Sequence, residues 1–192
     1  QLLLIGAMFA AAFWAWPQLP DRLPIHWNIH GDVDGWGNKF MGLLFVPLIV
    51  LGIYVLMVVL PWFDPGKANY QRFQRVYGII RIAIVAYMSA VYAAMLYAAF
   101  GHKLNMTSVI LPLVGILFIV LGNFLSKIRP NWFVGVRTPW TLSSQLSWDK
   151  PHRLPGWLFI VMVFLFVPVA LLHTTWSLVA VLICDGLRLI WI

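Results

Sequence analysis

Apolar and polar positions follow one another along this chain in long blocks rather than residue by residue. Six apolar runs, at residues 2–16, 41–62, 76–100, 108–125, 155–172 and 174–192, are separated by polar joints. A helix needs about 20 residues to cross the hydrocarbon of a bilayer, with a working range of about 17 to 25. Five runs qualify, and the first does if residues upstream of Gln1 continue it. Only His173, Thr174 and Thr175 divide the last two runs, but one helix over 155–192 is too long for a bilayer, so a tight helical hairpin is expected there. The pattern predicts an all-α membrane protein, a single domain over 1–192 with six transmembrane helices and a short strand-like extracytoplasmic loop between the first two. Pro47 and Pro112 are expected to kink their helices, because each removes a backbone hydrogen bond and crowds the preceding turn.

The two longest joints are 17–40 and 126–154. In the first, residues 25–34 alternate: Ile25, Trp27, Ile29 and Val33 fall on one side, and His26, Asn28, His30, Asp32 and Asp34 on the other. That is the period of a half-buried strand. Asp34-Gly35 tolerates positive φ and is expected to turn the chain, with 36–40 returning as a hairpin partner. The second joint interleaves tryptophan with basic residues. Thr141 or Ser143 is placed to cap a short helix running to about Lys150, which Pro151 should end.

Composition agrees with the blocks. The chain is 62% hydrophobic and only 10% charged, where a soluble domain averages about 25% charged. Its formal charge of +7 does not read as direct nucleic-acid binding, since the basic residues sit in joints rather than on one face. They read as topogenic charge. With the N-terminus cytoplasmic, the outer joints hold Arg22, Lys39 and Lys103. The inner joints then hold Lys67, Arg72, Arg75, Lys127, Arg129, Arg137, Lys150 and Arg153, a majority of eight to three. Both termini are thus expected in the cytoplasm, with 17–40 outside and the basic, Trp-rich 126–154 inside, where it would also meet lipid headgroups. The single cysteine, Cys184, allows no internal disulfide.

The two polar stretches carry a resemblance. Pro24, His26, Asn28, Gly31, Asp34 and Lys39 in the outer joint are followed by Asn131, Gly135, Arg137, Thr138, Pro139, Trp140, Leu142, Trp148, His152 and Arg153 in the inner one. This combination, covering nearly the whole chain, resembles the SdpI family of bacterial integral membrane proteins. His30 is not part of that pattern. The resemblance implies a multi-pass protein of the bacterial plasma membrane that confers immunity to a secreted peptide toxin. It also implies one that relays a signal by holding a cytoplasmic transcriptional repressor at the membrane.

Candidate site residues follow from the residues and the resemblance together. Outside, His26, Trp27, Asn28, Asp34 and Lys39 are the candidate ligand-binding set, a strand edge being suited to an extended peptide. Inside, Asn131, Arg137, Trp140, Trp148, His152 and Arg153 are the candidate surface for a regulator or headgroups. His26, His30, Asp32 and Asp34 are acceptable ligands for a divalent ion such as zinc, the only cofactor the residues point to. In a flat strand, however, His26 and His30 stand about 13 Å apart, so a sharp bend must bring them together. The competing reading is a structural network in which Asn28, Asp32 and Asp34 satisfy turn amides and His26 bonds a neighbour. Against an enzyme stand the lack of a P-loop, HExxH or GxSxG motif and of any glutamate. The alternatives to immunity are a small transporter, or a metal-dependent membrane enzyme built on His26, His30 and Asp34.

Overall fold

The computed structural model describes residues 1–139, 141 and 143–153. The expected fifth and sixth crossings, with Trp140, Leu142, Cys184 and the side chain of Arg153, lie outside the described residues. In chain order come α1 (Leu2–Ala15), β1 (Arg22–Trp27), β2 (Val33–Asn38), a π-helical turn (Phe40–Leu44), α2 (Phe45–Phe63), α3 (Lys67–Ala99), α4 (Met106–Leu125) and α5 (Gln145–Arg153). Among the described residues, three helical stretches are long and apolar enough to cross a membrane, Phe40–Phe63, Lys67–Ala99 and Met106–Leu125, and α1 is a shorter apolar helix. α2 alone rises roughly 28 Å at about 1.5 Å per residue, so whatever flanks it is separated by a bilayer's thickness.

The strand-like loop is a two-stranded antiparallel hairpin. Its turn is not at Asp34-Gly35, as the sequence pattern predicts, but at residues 28–32. Asn28 wins by chemistry: its Oδ1 accepts the N–H groups of His30 at 2.9 Å and Asp32 at 3.0 Å, while Gly31 takes φ +85°. The ladder slips once on each strand, between Pro24 and His26 and again between His26 and Trp27, so Ile25 and Asp34 are extra residues on β1 and β2. These slips break the simple alternation. Ile29 and Val33, expected to dock inward, are exposed, and Leu23 is the residue that seats the hairpin. It packs so tightly on Gly42 that a Cβ there would lie 2.8 Å from it.

α3 begins about two and a half turns before the apolar pattern does, at Lys67 instead of Val76. Its polar first turns lie against the segment after α4 rather than against lipid, Asn69 Nδ2 donating to the Pro130 carbonyl at 2.8 Å. A break in regular geometry at Phe73 (φ −129°, ψ 23°) marks where the two halves join.

Two prolines of α2 explain two tyrosines of α3. Pro47 has no N–H for the carbonyl of Leu43, four residues earlier, and Pro61 has none for that of Met57. Tyr92 Oη donates to the Leu43 carbonyl at 2.8 Å and Tyr77 Oη to that of Met57 at 2.6 Å. Freed carbonyls inside hydrocarbon must find a donor, so these bonds fix α3 against α2 at two heights. Around each lies a core. One gathers Ile5, Met8, Ala12 and Ala15 of α1 with Leu19, Leu23, Leu43, Val50, Val85 and Tyr92. The other gathers Met57, Tyr70, Phe73, Tyr77 and Ile80 with Ile128 and Trp148.

Candidate functional site

The two polar stretches occupy opposite ends of this bundle. At the hairpin end, the turn is tied down by the start of α4. Asn105 acts in two directions: its Oδ1 caps α4 by accepting the Ser108 N–H at 2.9 Å, and its Nδ2 donates to the His30 carbonyl at 2.6 Å. Thr107 Oγ1 donates to the Ile29 carbonyl at 3.1 Å. Gly31 is obligatory here, because a Cβ on it would lie 2.3 Å from Asn105 Oδ1. Between the turn and the α3–α4 connection opens a cavity of about 420 Å³, lined by Trp27, Asp32, Val33, His102, Lys103 and Leu104 among others. The His102 ring stacks on Tyr97 with centroids 4.2 Å apart.

Of the candidate outer residues, His26 and Asp34 meet directly, Nδ1 to Oδ1 at 2.5 Å, with their side chains 72% and 43% exposed. The bulge at Asp34 brings its carboxylate to His26, and Gly35 permits the close pairing, since a Cβ there would lie 2.7 Å from that of His26. Lys39 reaches Asp21 at 3.5 Å, joining the two ends of the hairpin. Trp27 is half-buried on the cavity wall. Asn28 is the turn's own hydrogen-bond hub. His30 and Asp32 contribute backbone atoms to the turn, the Asp32 carbonyl accepting from Asn28 N–H at 2.8 Å. Among the described residues, no group of three or more His, Cys, Asp or Glu side chains gathers around one point, so His26, His30, Asp32 and Asp34 are not brought together as a ligand set.

At the opposite end lies a knot of buried polar groups. Its centre is Asp64, 2% exposed, which follows α2. Its Oδ1 accepts from Gly66 N–H at 2.6 Å, and its Oδ2 from Tyr70 Oη at 2.8 Å and Trp132 N–H at 3.0 Å. Asn131 winds its own turn, Oδ1 accepting the Phe133 and Val134 N–H groups and Nδ2 donating to the Arg129 and Val134 carbonyls. Trp148 is fully buried, and its Nε1 donates to the Ile128 carbonyl at 2.9 Å. His152 stacks on Trp148 at 4.2 Å and bonds the Trp148 carbonyl through Nδ1 at 2.7 Å. Its Nε2 takes the Val136 N–H at 3.1 Å. Since Nε2 accepts, Nδ1 carries the proton, and the ring is neutral. Burial pushes this imidazole below its ordinary value, against the opposite pull of the Trp148 carbonyl and of Asp149. Gly135, at φ +109°, leaves room for it: a Cβ would lie 2.4 Å from Nε2.

α5 therefore departs from expectation in two ways. Ser144, not Thr141 or Ser143, opens it, its Oγ accepting the Ser147 N–H at 3.1 Å. The helix also runs through Pro151 to Arg153, its last turn anchored by the bonds of His152. Thr141 is buried elsewhere, its hydroxyl joining Val136 and Thr138. Of the candidate inner residues, Asn131, Trp148 and His152 are thus occupied in holding the loop together. Arg137 stands exposed beside them, its Nη1 on the Trp132 carbonyl at 2.5 Å.

Sequence reasoning passed over Asp64, Tyr70, His102, Lys103 and Asn105. Asn105 had a readable signal, an Asn immediately before an apolar run. Asp64 had a weaker one, as the lone carboxylate between the second and third runs.

Comparison with known proteins gives a consistent result. The SdpI/YfhL protein family model matches residues 127–191, the part that holds most of the knot. A domain of unknown function, DUF1648, matches residues 3–51, which include the hairpin. The immunity protein SdpI of Bacillus subtilis (strain 168) is 23% identical over 167 residues, covering 86% of this chain and 77% of that protein. No solved structure matches. These matches bear out the resemblance to the SdpI family read from the two polar stretches.

Proposed function

We propose that this chain is an immunity protein of the bacterial plasma membrane, with both termini cytoplasmic, that recognises a secreted peptide toxin at its hairpin end. The observation that carries this reading is the cavity beside the hairpin turn. Trp27, Val33 and Leu104 give it apolar wall, Asp32 and Lys103 give it charge of both signs, and His102 adds an imidazole, a lining suited to an amphipathic peptide. Ile29 and Trp36 add exposed apolar surface on the same hairpin, and a two-stranded sheet leaves edges for an extended chain to pair with. His26, Trp27, Asn28, Asp34 and Lys39 are the proposed recognition set, His26 and Asp34 as exposed contacts, Asn28 and Lys39 as the groups that shape the hairpin.

The knot end is the proposed face for a cytoplasmic regulator, such as a transcriptional repressor, or for headgroups. Arg137 would contact the partner, and the buried Asn131, Trp148 and His152 would hold it in place. A relay between the ends requires that the peptide bind one arrangement of the helices better than another. The two tyrosine bonds from α3 to the proline-freed carbonyls of α2 are the contacts such a rearrangement would strain.

The test is survival of bacteria that lack their own immunity protein, exposed to a peptide toxin of the kind this family neutralises, with and without this chain. Protection by the wild-type chain and its loss in a His26→Ala/Trp27→Ala variant that still reaches the membrane is the expected result. Undiminished protection by that variant would remove the hairpin from the mechanism.

A further inference from the structure

A second cavity, of about 560 Å³, opens at the knot end between the first turns of α3 and the segment that follows α4. Among the described residues, four cations line it, Arg72 and Arg75 from α3 with Lys127 and Arg129 from beyond α4, and no Asp does. Arg72 and Arg75 flank the break at Phe73 and both line the cavity, with Gln71 and Gln74 as neutral donors beside them. Among the described residues, no ion pair includes any of the four. Lys127 is held over the Phe124 ring, its Nζ 4.7 Å from the centroid. Four positive groups from two separate segments, converging on one space with no ion-pair partner among the described residues, make a receptor for an anion.

The depth of the cavity selects which anion. On α3 the apolar pattern starts at Val76, one residue beyond Arg75, and on α4 it ends at Leu125, two residues before Lys127. The cavity therefore sits where the hydrocarbon-facing surface gives way to polar chain, the level of phospholipid phosphates. Guanidinium groups match phosphate oxygens through paired N–H donors. We infer that this cavity seats the phosphate of an anionic phospholipid, with Arg72, Arg75, Lys127 and Arg129 as its ligands. This deepens the headgroup part of the proposed function, resting on its membrane-spanning half and not on toxin recognition.

The experiment is native mass spectrometry of the full chain in detergent, titrated with phosphatidylglycerol, phosphatidylcholine or inorganic phosphate. Phosphatidylglycerol should bind at least about fivefold tighter than phosphatidylcholine, and each arginine-to-glutamine change at 72 or 75 should lower its affinity about fivefold. Arg22→Gln, at the opposite end, should leave it unchanged. Arg72→Lys/Arg75→Lys keeps the charge and should keep most of the selectivity, which separates loss of the seat from loss of the fold. Equal binding of the two lipids would overturn the assignment, as would selectivity that survives neutralising all four cations. Displacement of the lipid by equimolar inorganic phosphate would overturn the lipid as its source. The protection assay is independent, because the hairpin variant leaves all four cations in place and the arginine variants leave the hairpin intact.

Discussion

The hairpin end and the knot end are both polar, but they handle their polar groups in opposite ways. At the hairpin end the backbone is tied down and the side chains are left exposed: Asn105 and Thr107 hold the turn by its carbonyls while the His26–Asp34 pair, Ile29 and Trp36 face outward. At the knot end the side chains are enclosed. Asp64, Asn131, Thr141 and His152 are each 2% exposed or less, and each is satisfied within the chain. A recognition motif and a folding motif can thus look alike in sequence, as conspicuous polar residues among apolar ones. Only the direction of their hydrogen bonds separates them.

The largest effect should come from breaking the knot at its centre. Asp64→Ala leaves the Gly66 and Trp132 amides and the Tyr70 hydroxyl without their acceptor, and it should destabilise the protein by about 3 kcal/mol or more. Thermal unfolding in detergent would register this, and an unchanged midpoint would mean that the knot does not support the fold. Next come Tyr77→Phe and Tyr92→Phe, each leaving a proline-freed carbonyl unpaired at a cost of about 1–3 kcal/mol. Restoring the helix bond by Pro61→Ala in the Tyr77→Phe background should recover part of the loss, which a simple packing role for the ring does not predict.

A smaller effect is a dependence on pH confined to the knot. The folded state favours neutral His152, so the free-energy gain from burying it is whole above the ordinary value near 6.5. It diminishes as pH falls from there toward the lowered folded value. His152→Gln should flatten that part of the unfolding profile. Smallest is His26→Ala, which removes a largely exposed pair and should change stability by about 1 kcal/mol or less. The comparison is sharpest if this variant, nearly silent in unfolding, is the one that impairs protection.

Much of this was legible from local signals. Hydrophobic blocks located the first four helices, and a hairpin was expected in the right joint, but the strand read over 25–34 runs across the observed turn at 28–32. The turn was misplaced by a few residues because Asp34-Gly35 is a good turn dipeptide, yet the 28–32 turn has a tertiary partner in Asn105, which bonds the His30 carbonyl from 75 residues away in sequence. The early start of α3 escaped because its first turns are polar for contact with another loop, not with water alone. The roles of Tyr77 and Tyr92 are not legible from their own segment, since the carbonyls they serve are freed by prolines on a different helix. His152 and Trp148 read as partner-binding groups. Their being enclosed depends on Gly135, whose positive φ has no signature beyond the glycine itself.

Sensing at the hairpin and reporting at the knot require the two ends to lie on opposite faces of the membrane. Labelling with a membrane-impermeant maleimide tests this directly, using His30→Cys and Arg137→Cys in a Cys184→Ser background, since Cys184 is the sole native thiol. Residue 30 should react in intact cells and residue 137 only after the membrane is permeabilised. Equal reactivity of both in intact cells, or of neither, would contradict the arrangement.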